Sequence, residues 1–213
     1  MRSSEIKPEV YDLARRAEAL AAPQFTLLQE VCERNTQRVM DAFQEFRVSE
    51  ACFAGTTGYG YDDLGRETLE KIYARVFGTE AALVRPHFVN GTHAIPAALF
   101  ALCRPGEAIL AATGKPYDTL HHAIGITGEE FGSLRFYGIG YRQVELLPDG
   151  QPDLPGIREA LEDPAIKAVT LQRSIGYSTR KALSIEQIQS VCSAVKEKRK
   201  DVSIFVDNCY GEF

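Results

Sequence analysis

The spacing of apolar residues changes along the chain. In the first stretch it is the spacing of a helix. Up to about Val48, apolar side chains recur at a spacing close to 3.6, with Asp, Glu and Arg between them; they are Phe25, Leu28, Cys32, Val39, Phe43 and Phe46. This spacing is typical of amphipathic helices, and we predict two of them here. A further helix is predicted from Asp62 or Asp63 to Gly78, with Leu69, Ile72, Tyr73 and Val76 buried.

From Ala81 onward, short apolar segments alternate with helical ones. The predicted strands are Ala81–Val84, Glu107–Ala112, Gln143–Leu147, Ile166–Leu171 and Val202–Asp207. The predicted helices are Thr92–Cys103, Tyr117–Ile124, Asp153–Leu161 and Ser184–Lys198, the last opened by a Ser184/Gln187 capping box. The alternation predicts an α/β fold, with a mostly parallel sheet and helices on both faces.

In open α/β sheets, ligands bind beyond the carboxyl ends of the strands. This rule selects four segments as site-forming: Arg85–Thr92, Thr113–Tyr117, Gln172–Tyr177 and Asp207–Tyr210. Asp207 ends an apolar strand. We therefore expect its backbone to be buried and its carboxylate to face the site. A protonated ring nitrogen is one partner for such an acid. A helix N-cap or a salt bridge to an arginine is an equally good alternative.

Gly91 and Thr92 precede or open a helix, where free N–H groups and the helix dipole favour a phosphate. A loop with a Thr N-cap is the common alternative.

Tyr117 follows a strand and is expected at the rim of the same cleft, where its ring either stacks on a planar cofactor or is an ordinary half-buried tyrosine. Lys115 is either a phosphate contact or a solvated charge. The loop Gly55–Arg66 lacks G-x-G-x-x-G spacing, which argues against a dinucleotide site.

Charge and composition narrow the class of partner. The chain has 29 acidic and 24 basic residues, a net charge of −5, so there is no basic excess for nucleic acid. Five dispersed cysteines without C-x-x-C predict reduced thiols in a cytoplasmic protein. No signal peptide and no membrane span are predicted. Neither H-x-x-x-H nor a His–Cys pair at ligand spacing occurs, so no metal site is expected.

In combination, the segments GTTGYGYDDLGRETLE, GKPYDT and VDNCYGEF resemble the fold-type-I pyridoxal-phosphate (PLP) enzymes of cystathionine and methionine metabolism. The resemblance is greatest to their methionine γ-lyase-like branch, also called aluminium resistance proteins, and it covers about Gly55 to Phe213. It implies a PLP-dependent transferase-like large domain (the aspartate aminotransferase fold). We therefore expect a helical amino-terminal arm over residues 1–50 and a partial PLP-binding domain over residues 51–213.

The resemblance assigns roles residue by residue. It implies that Gly91 and Thr92 hold the PLP phosphate, that Tyr117 stacks on the pyridine ring and that Asp207 pairs with the pyridine nitrogen. It also implies that Tyr59 reaches the neighbouring subunit's site, in a homodimer or homotetramer. Tyr61 stands where many relatives have an arginine, and Arg66 is the candidate replacement.

Two further parts depart from the family pattern. The segment Gln172-Arg173-Ser174 lies where the cofactor's phenolic oxygen is usually contacted, so Ser174 is a candidate contact, although the usual Asn-Pro is absent. The Schiff-base lysine follows the Val-Asp-Asn segment in this family, and no residue here lies beyond Phe213. Lys115 is in the wrong motif to replace it. We therefore expect a chain that is incomplete at its carboxyl end and inactive alone.

The function implied is that of a PLP-dependent carbon–sulfur lyase acting on a sulfur-containing amino acid by Cα deprotonation and elimination of a thiol. One alternative is a non-catalytic fragment or remnant that binds PLP or another anion weakly. The other is a nucleotide-binding α/β domain, which the missing glycine fingerprint disfavours. No nucleic acid or membrane partner is expected.

Overall fold

The computed structural model describes residues 6–59, 62–128 and 131–211, and these form two compact units. The first unit runs to Pro86 and the second begins at His87. Gly60 and Tyr61 lie outside the described residues, so the interpretation of Tyr61 stays a prediction. The domain boundary predicted near residue 50 also stays a prediction.

The first unit begins with one long helix, α1 (Pro8–Glu45), of 38 residues, and the prediction of two helices is wrong. Pro23 lies inside the helix and removes one backbone hydrogen bond. The neighbouring Ala and Leu residues are strong helix formers, so the helix continues through it. Only the end of α1 is packed: Ala42 is buried, whereas Phe25 and Leu28 are 57% and 61% exposed.

The second helix, α2 (Leu64–Phe77), lies where the pattern predicts it. The Asp63 side chain caps its start by accepting a hydrogen bond from the Arg66 N–H at 3.0 Å. Gly78 ends it in a left-handed conformation, φ 65°, which glycine adopts without strain. Ile72 and Val76 are buried against the end of α1, but Leu69 and Tyr73 are exposed, contrary to expectation.

No strand forms at Ala81–Val84, although one is predicted there. The Val84 N–H donates to the Glu70 carboxylate at 3.0 Å instead of to a neighbouring strand. Arg85 also forms an ion pair with Glu70. The segment is therefore held along α2 by side-chain contacts rather than by a sheet.

The second unit alternates helices and strands. Its helices are α3 (Gly91–Leu102), α4 (Thr119–Ile124), α5 (Leu154–Ala160) and α6 (Ile185–Lys198). Its strands are β1 (Ala108–Ala111), β2 (Gly140–Gln143), β3 (Ile166–Gln172) and β4 (Ser203–Asp207). They form one sheet in the order β2-β1-β3-β4, and every neighbouring pair is parallel. The predicted α/β class with a parallel sheet is confirmed.

The second strand is displaced from its predicted position. It covers Gly140–Gln143, whereas the sequence pattern favoured Gln143–Leu147. Gly140 lies opposite Ala108, and a Cβ atom at Gly140 would lie 3.1 Å from the Ala108 Cβ. Glycine suits this close approach, and Arg142 and Gln143 of the same strand are exposed, so the strand shows no pattern of apolar side chains.

Two apolar clusters cover the two faces of the sheet. On one face, Leu110, Val169 and Leu171 pack with residues of α5 and α6. On the other face, Ile109 and Ala168 pack with residues of α3 and α4. Because side chains alternate along a strand, the residues at the carboxyl ends of β3 and β4 are assigned to a face by their parity.

Candidate functional site

Three polar residues lie in a row at the carboxyl ends of three neighbouring strands. Gln172 and Asp207 are register partners in β3 and β4. The Gln172 N–H donates to the Thr113 hydroxyl, just after β1, at 3.1 Å. Gln172 has the parity of Ala168, and Asp207 that of Phe205, both of which pack with the α3 and α4 residues. The side chains of Gln172 and Asp207 therefore belong to the face covered by α3 and α4.

Asp207 combines a fixed backbone with a carboxylate at the edge of an apolar cavity. Its Oδ1 accepts a hydrogen bond from the Cys209 N–H at 3.1 Å. The cavity beside it has a volume of about 20 Å³, and its apolar lining is Ile95, Leu99, Leu120, Ile124 and Phe205. Within the described residues, Asp207 caps no helix and has no ion pair, which leaves the two alternative interpretations of this acid without support.

The start of α3 is built as the phosphate hypothesis requires, with one correction. Its N-cap is Asn90, whose side chain accepts from the His93 N–H at 2.9 Å, so the alternative of a Thr N-cap is wrong. Gly91 and Thr92 are the first two helical residues, and their N–H groups have no intrahelical acceptor. A Cβ at Gly91 would meet no atom within 4 Å, so the space in front of this helix end is open.

A second hydroxyl joins Thr92 at this helix end. Thr92 Oγ1 lies 3.2 Å from the Oγ1 of Thr119, the first residue of α4. Both side chains are exposed to solvent. Two hydroxyl donors and the free N–H groups of α3 therefore meet at one point, which is the donor set that a phosphate or another oxyanion requires.

Tyr117 lies two residues before Thr119 and is held through its backbone. Its N–H donates to the Gln172 Oε1 at 2.7 Å. Its ring contacts the ring of Tyr177, with centroids 5.3 Å apart and planes inclined by 32°. Hydrogen bonding to the Tyr177 phenol is the main cause that raises the pKa of Tyr117, from 10.0 to about 12. Tyr177 itself is 84% exposed, so its ring covers Tyr117 from the solvent side.

A cleft of about 1300 Å³ opens beside Tyr117, between the loops that follow β1, β2 and β3. Lys115 is exposed on its lining. Asp207 lines the small apolar cavity and not this cleft, whereas Gln172 lines both. Gln172 thus lies between the acid and the aromatic ring.

The remaining predicted residues have different outcomes. The Ser174 carbonyl accepts from the Gln172 Nε2 at 3.2 Å and from Arg180, so Ser174 lies in the same group, and contact of its hydroxyl with a cofactor stays a prediction. Tyr59 and Arg66 belong to the first unit. Tyr59 is 85% exposed, and the Arg66 N–H is used in capping α2. Their roles at the site stay predictions.

Sequence reasoning placed Gln172 and Tyr177 in a site-forming segment, but it missed that Gln172 connects the site and that the Tyr177 ring lies on Tyr117. It also missed Thr119 as the second hydroxyl. Thr119 carries a weak signal, since it is the first helical residue after a strand-end loop. The link between Tyr117 and Gln172 joins residues 55 positions apart. No local pattern contains such a link.

The fold and the site together define a class of protein. A parallel α/β sheet presents, at its carboxyl edge, a helix end with two hydroxyls, an aromatic ring and an acid beside an apolar cavity. These features fit a site for a flat, phosphorylated cofactor.

The chain belongs to the methionine gamma-lyase family, whose profile matches residues 10–213. It is similar to the solved structure of a carbon–sulfur lyase involved in aluminium resistance from Clostridium novyi, with 52% identity and a TM-score of 0.91, covering 97% of this chain and 49% of that one. A structure from Clostridium acetobutylicum, described as a candidate cystathionine beta-lyase involved in aluminium resistance, has 45% identity and a TM-score of 0.92. That match covers 98% of this chain and 50% of the other.

Among curated proteins, the uncharacterized protein YnbB of Bacillus subtilis is 48% identical over 187 residues, which are 87% of this chain and 44% of YnbB. The chain thus spans about half the length of the relatives it matches. The resemblance read from the sequence is confirmed at the level of the family.

PLP is the cofactor generally used in this family, and the residues of this chain fit it. Thr92, Thr119 and the α3 N–H groups match its phosphate in charge and donor type. The second carboxylate oxygen of Asp207, Oδ2, accepts no hydrogen bond from the described residues, and it matches a protonated pyridine nitrogen. Tyr117 supplies an aromatic ring on the cleft wall.

Among the described residues, no helix is both long enough and apolar enough to cross a membrane. Nor do these residues contain a group of three or more His, Cys, Asp or Glu side chains that could hold a metal ion.

Proposed function

We propose that this chain is the cofactor-holding part of a PLP-dependent carbon–sulfur lyase that acts on a sulfur-containing amino acid. The observation that carries the proposal is the connected set Thr92–Thr119, Tyr117–Gln172 and Gln172–Asp207, which runs along one edge of the sheet. Membership of the methionine gamma-lyase family supports both the cofactor and the reaction class.

Each part of the set has one task. The α3 N–H groups and the hydroxyls of Thr92 and Thr119 bind the phosphate. Tyr117 supports the flat face of the ring by stacking. Asp207 keeps the ring nitrogen protonated, because its carboxylate lies beside apolar side chains where a positive partner stabilises it. When bound, the cofactor serves as the electron sink for the charge that develops when the substrate Cα loses its proton.

Lys115 is not assigned the covalent role. It is exposed on the cleft lining and belongs to the loop that carries Tyr117. A lysine outside this chain takes that role and also acts as the amine base. The small-molecule partner is the amino-acid substrate.

We also propose a two-fold homodimer, or a tetramer of such dimers, in which Tyr59 completes the neighbouring subunit's site. The support is the family and the exposure of Tyr59 in a glycine-flanked loop. Sedimentation of the active protein tests it, since an active monomer is incompatible with a shared site. A cytoplasmic location is proposed from the odd, dispersed cysteines, all of which are free thiols here.

The test of the cofactor proposal is spectroscopic. The purified complete protein should be yellow, and borohydride should abolish its visible absorption band. Peptide mapping of the reduced protein should find the cofactor on none of the lysines of this chain, Lys115 included. A colourless protein that PLP does not titrate would refute the cofactor, whereas an adduct on Lys115 would refute only the assignment of the lysine.

A further inference from the structure

Gln172 is bonded at every polar position that it has. Its side-chain Oε1 accepts from the Tyr117 N–H at 2.7 Å, and its Nε2 donates to the Ser174 carbonyl at 3.2 Å. Its backbone N–H donates to Thr113 at 3.1 Å, and its carbonyl accepts from Arg180 at 2.8 Å. The side-chain oxygen and the side-chain nitrogen thus each have one partner within the chain, and the nitrogen carries a second N–H.

These bonds join separate loops at one point. Tyr117 lies in the loop after β1, and Ser174 lies in the loop after β3. Gln172 itself is the last residue of β3, and it is the register partner of Asp207 in β4. One residue on a rigid strand end therefore fixes the backbone that carries the aromatic ring, next to the strand that carries the acid.

Gly176 allows the loop after β3 to pack against Gln172 and Tyr117. A Cβ at Gly176 would lie 3.3 Å from the Gln172 Nε2 and 3.3 Å from the Tyr117 Cδ2. Its backbone φ is +59°, a conformation that side-chain-bearing residues rarely adopt. The loop is thus packed against Gln172 and Tyr117 at the same time.

We infer that Gln172 is a positioning residue: it sets the Tyr117 ring and the Ser174 loop relative to Asp207. The inference deepens the proposed function and rests on it for the identity of the ligand. The physical basis is that stacking and ion pairing each require a fixed geometry. A preorganised site loses less conformational entropy when it binds its ligand. The Gln172 Oε1 and Nε2 are each bonded to a different loop, so loss of the amide releases both loops.

The titration of Tyr117 reports on this placement without any cofactor. Its pKa, about 12, depends first on the Tyr177 phenol, with Asp118 and Tyr210 as further negative groups. If the Tyr117 backbone is released from Gln172, the two phenols lose their alignment, and the pKa of Tyr117 should fall toward the ordinary 10.0. A residue that serves only the overall fold would leave this pKa unchanged as long as the protein stays folded.

The experiment compares three substitutions in the complete protein. Gln172→Asn is too short to reach the Tyr117 N–H, and Gln172→Leu cannot accept a hydrogen bond. Gln172→Glu keeps the acceptor. Gln189→Leu, at an exposed position of α6, is the matched control. Phenolate absorbance after a rapid pH jump gives the pKa, with Tyr117→Phe identifying the Tyr117 component, and PLP titration gives the dissociation constant.

We expect Asn and Leu at position 172 to lower the pKa of Tyr117 and to weaken PLP binding roughly tenfold, the scale of one lost hydrogen bond. We expect Gln189→Leu to titrate like the wild type at Tyr117. Gln172→Glu keeps the acceptor and adds a negative charge, so the pKa of Tyr117 should not fall below the wild-type value. A folded Gln172→Asn protein with an unchanged Tyr117 titration would overturn the inference. Loss of folding in Gln172→Asn would overturn it as well, because the amide would then serve the fold. Failure of the wild type to bind PLP would refute the proposed function alone and leave the titration result to be judged by itself.

Discussion

Thr92 and Thr119 bring their hydroxyl oxygens to within 3.2 Å of each other, although 27 residues separate them in the chain. Each belongs to the first turn of a helix, Thr92 in α3 and Thr119 in α4. Both hydroxyls are exposed, so the pair is not buried to fill space. Its simplest use is to bind one oxyanion from two sides.

Replacing either threonine by valine should therefore weaken PLP binding, roughly tenfold or more, because a charge-assisted hydrogen bond to the phosphate is lost. The double substitution should cost less than the sum of the two single ones, since the hydroxyls share one ligand. Absorbance titration with PLP measures both effects, and Thr36→Val, on the exposed surface of α1, is the control. Unchanged affinity in both single variants would exclude Thr92 and Thr119 from the phosphate site.

Asp207→Asn should fold and keep part of its PLP affinity, because the phosphate and ring contacts remain. Its elimination activity should fall by about two or more orders of magnitude, the scale expected when one preorganised charge contact is removed. Turnover of a sulfur-containing amino acid by the complete protein, measured at saturating PLP, tests this. Asp12→Asn, on exposed α1, is the control. Near-normal turnover with bound PLP would make Asp207 a structural residue only.

The sequence predicts the positions of Asp207 and Tyr117 in the fold better than it predicts the first unit, and the reason is physical. Both follow from a rule about where parallel strands end, and that rule depends on element order rather than on exact boundaries. The strand predicted before Gly91 does not form, so the rule does not account for the position of Gly91. In the first unit, the two helices predicted up to Val48 are one helix. The local cost of Pro23 is offset by strong helix formers on both sides, and the helix runs through it.

Local sequence patterns do not predict contacts between residues that are far apart in the chain. Gln172 has no unusual neighbours, and its importance comes from Tyr117, Ser174 and Asp207, which meet it only in the folded sheet. In the same way, the strand at Gly140–Gln143 is hidden because it begins with a glycine close to Ala108 and ends with two exposed polar residues. Local periodicity records which side chains are apolar, not which backbones must come close.

The cysteines should differ widely in reactivity. Cys103 is 4% exposed, and burial raises its pKa to about 11, so little reactive thiolate forms near neutral pH. Cys209 is exposed, two residues after Asp207. Alkylation of the native protein near pH 8, followed by peptide mass mapping, should label Cys209 quickly and Cys103 only after unfolding. Equal labelling of the two in the folded protein would contradict the buried position of Cys103.

The Tyr117–Tyr177 pair should stabilise the folded protein at neutral pH, and this contribution should be lost at strongly alkaline pH. The pKa of Tyr117 is raised from 10.0 to about 12, so the folded state favours the protonated phenol. Linkage then fixes the sign: the contribution of the pair is complete below about pH 10 and is lost as the pH rises through about 12.

Tyr177→Phe keeps the ring contact but removes the hydroxyl that raises the pKa of Tyr117. The variant should be less stable than the wild type below about pH 10, and the difference should shrink until the two proteins converge above about pH 12. Urea unfolding at a series of pH values measures the difference, and Tyr11→Phe, on exposed α1, is the control. A difference that stays constant across this range, or grows with pH, would show that the Tyr177 hydroxyl does not hold the Tyr117 proton.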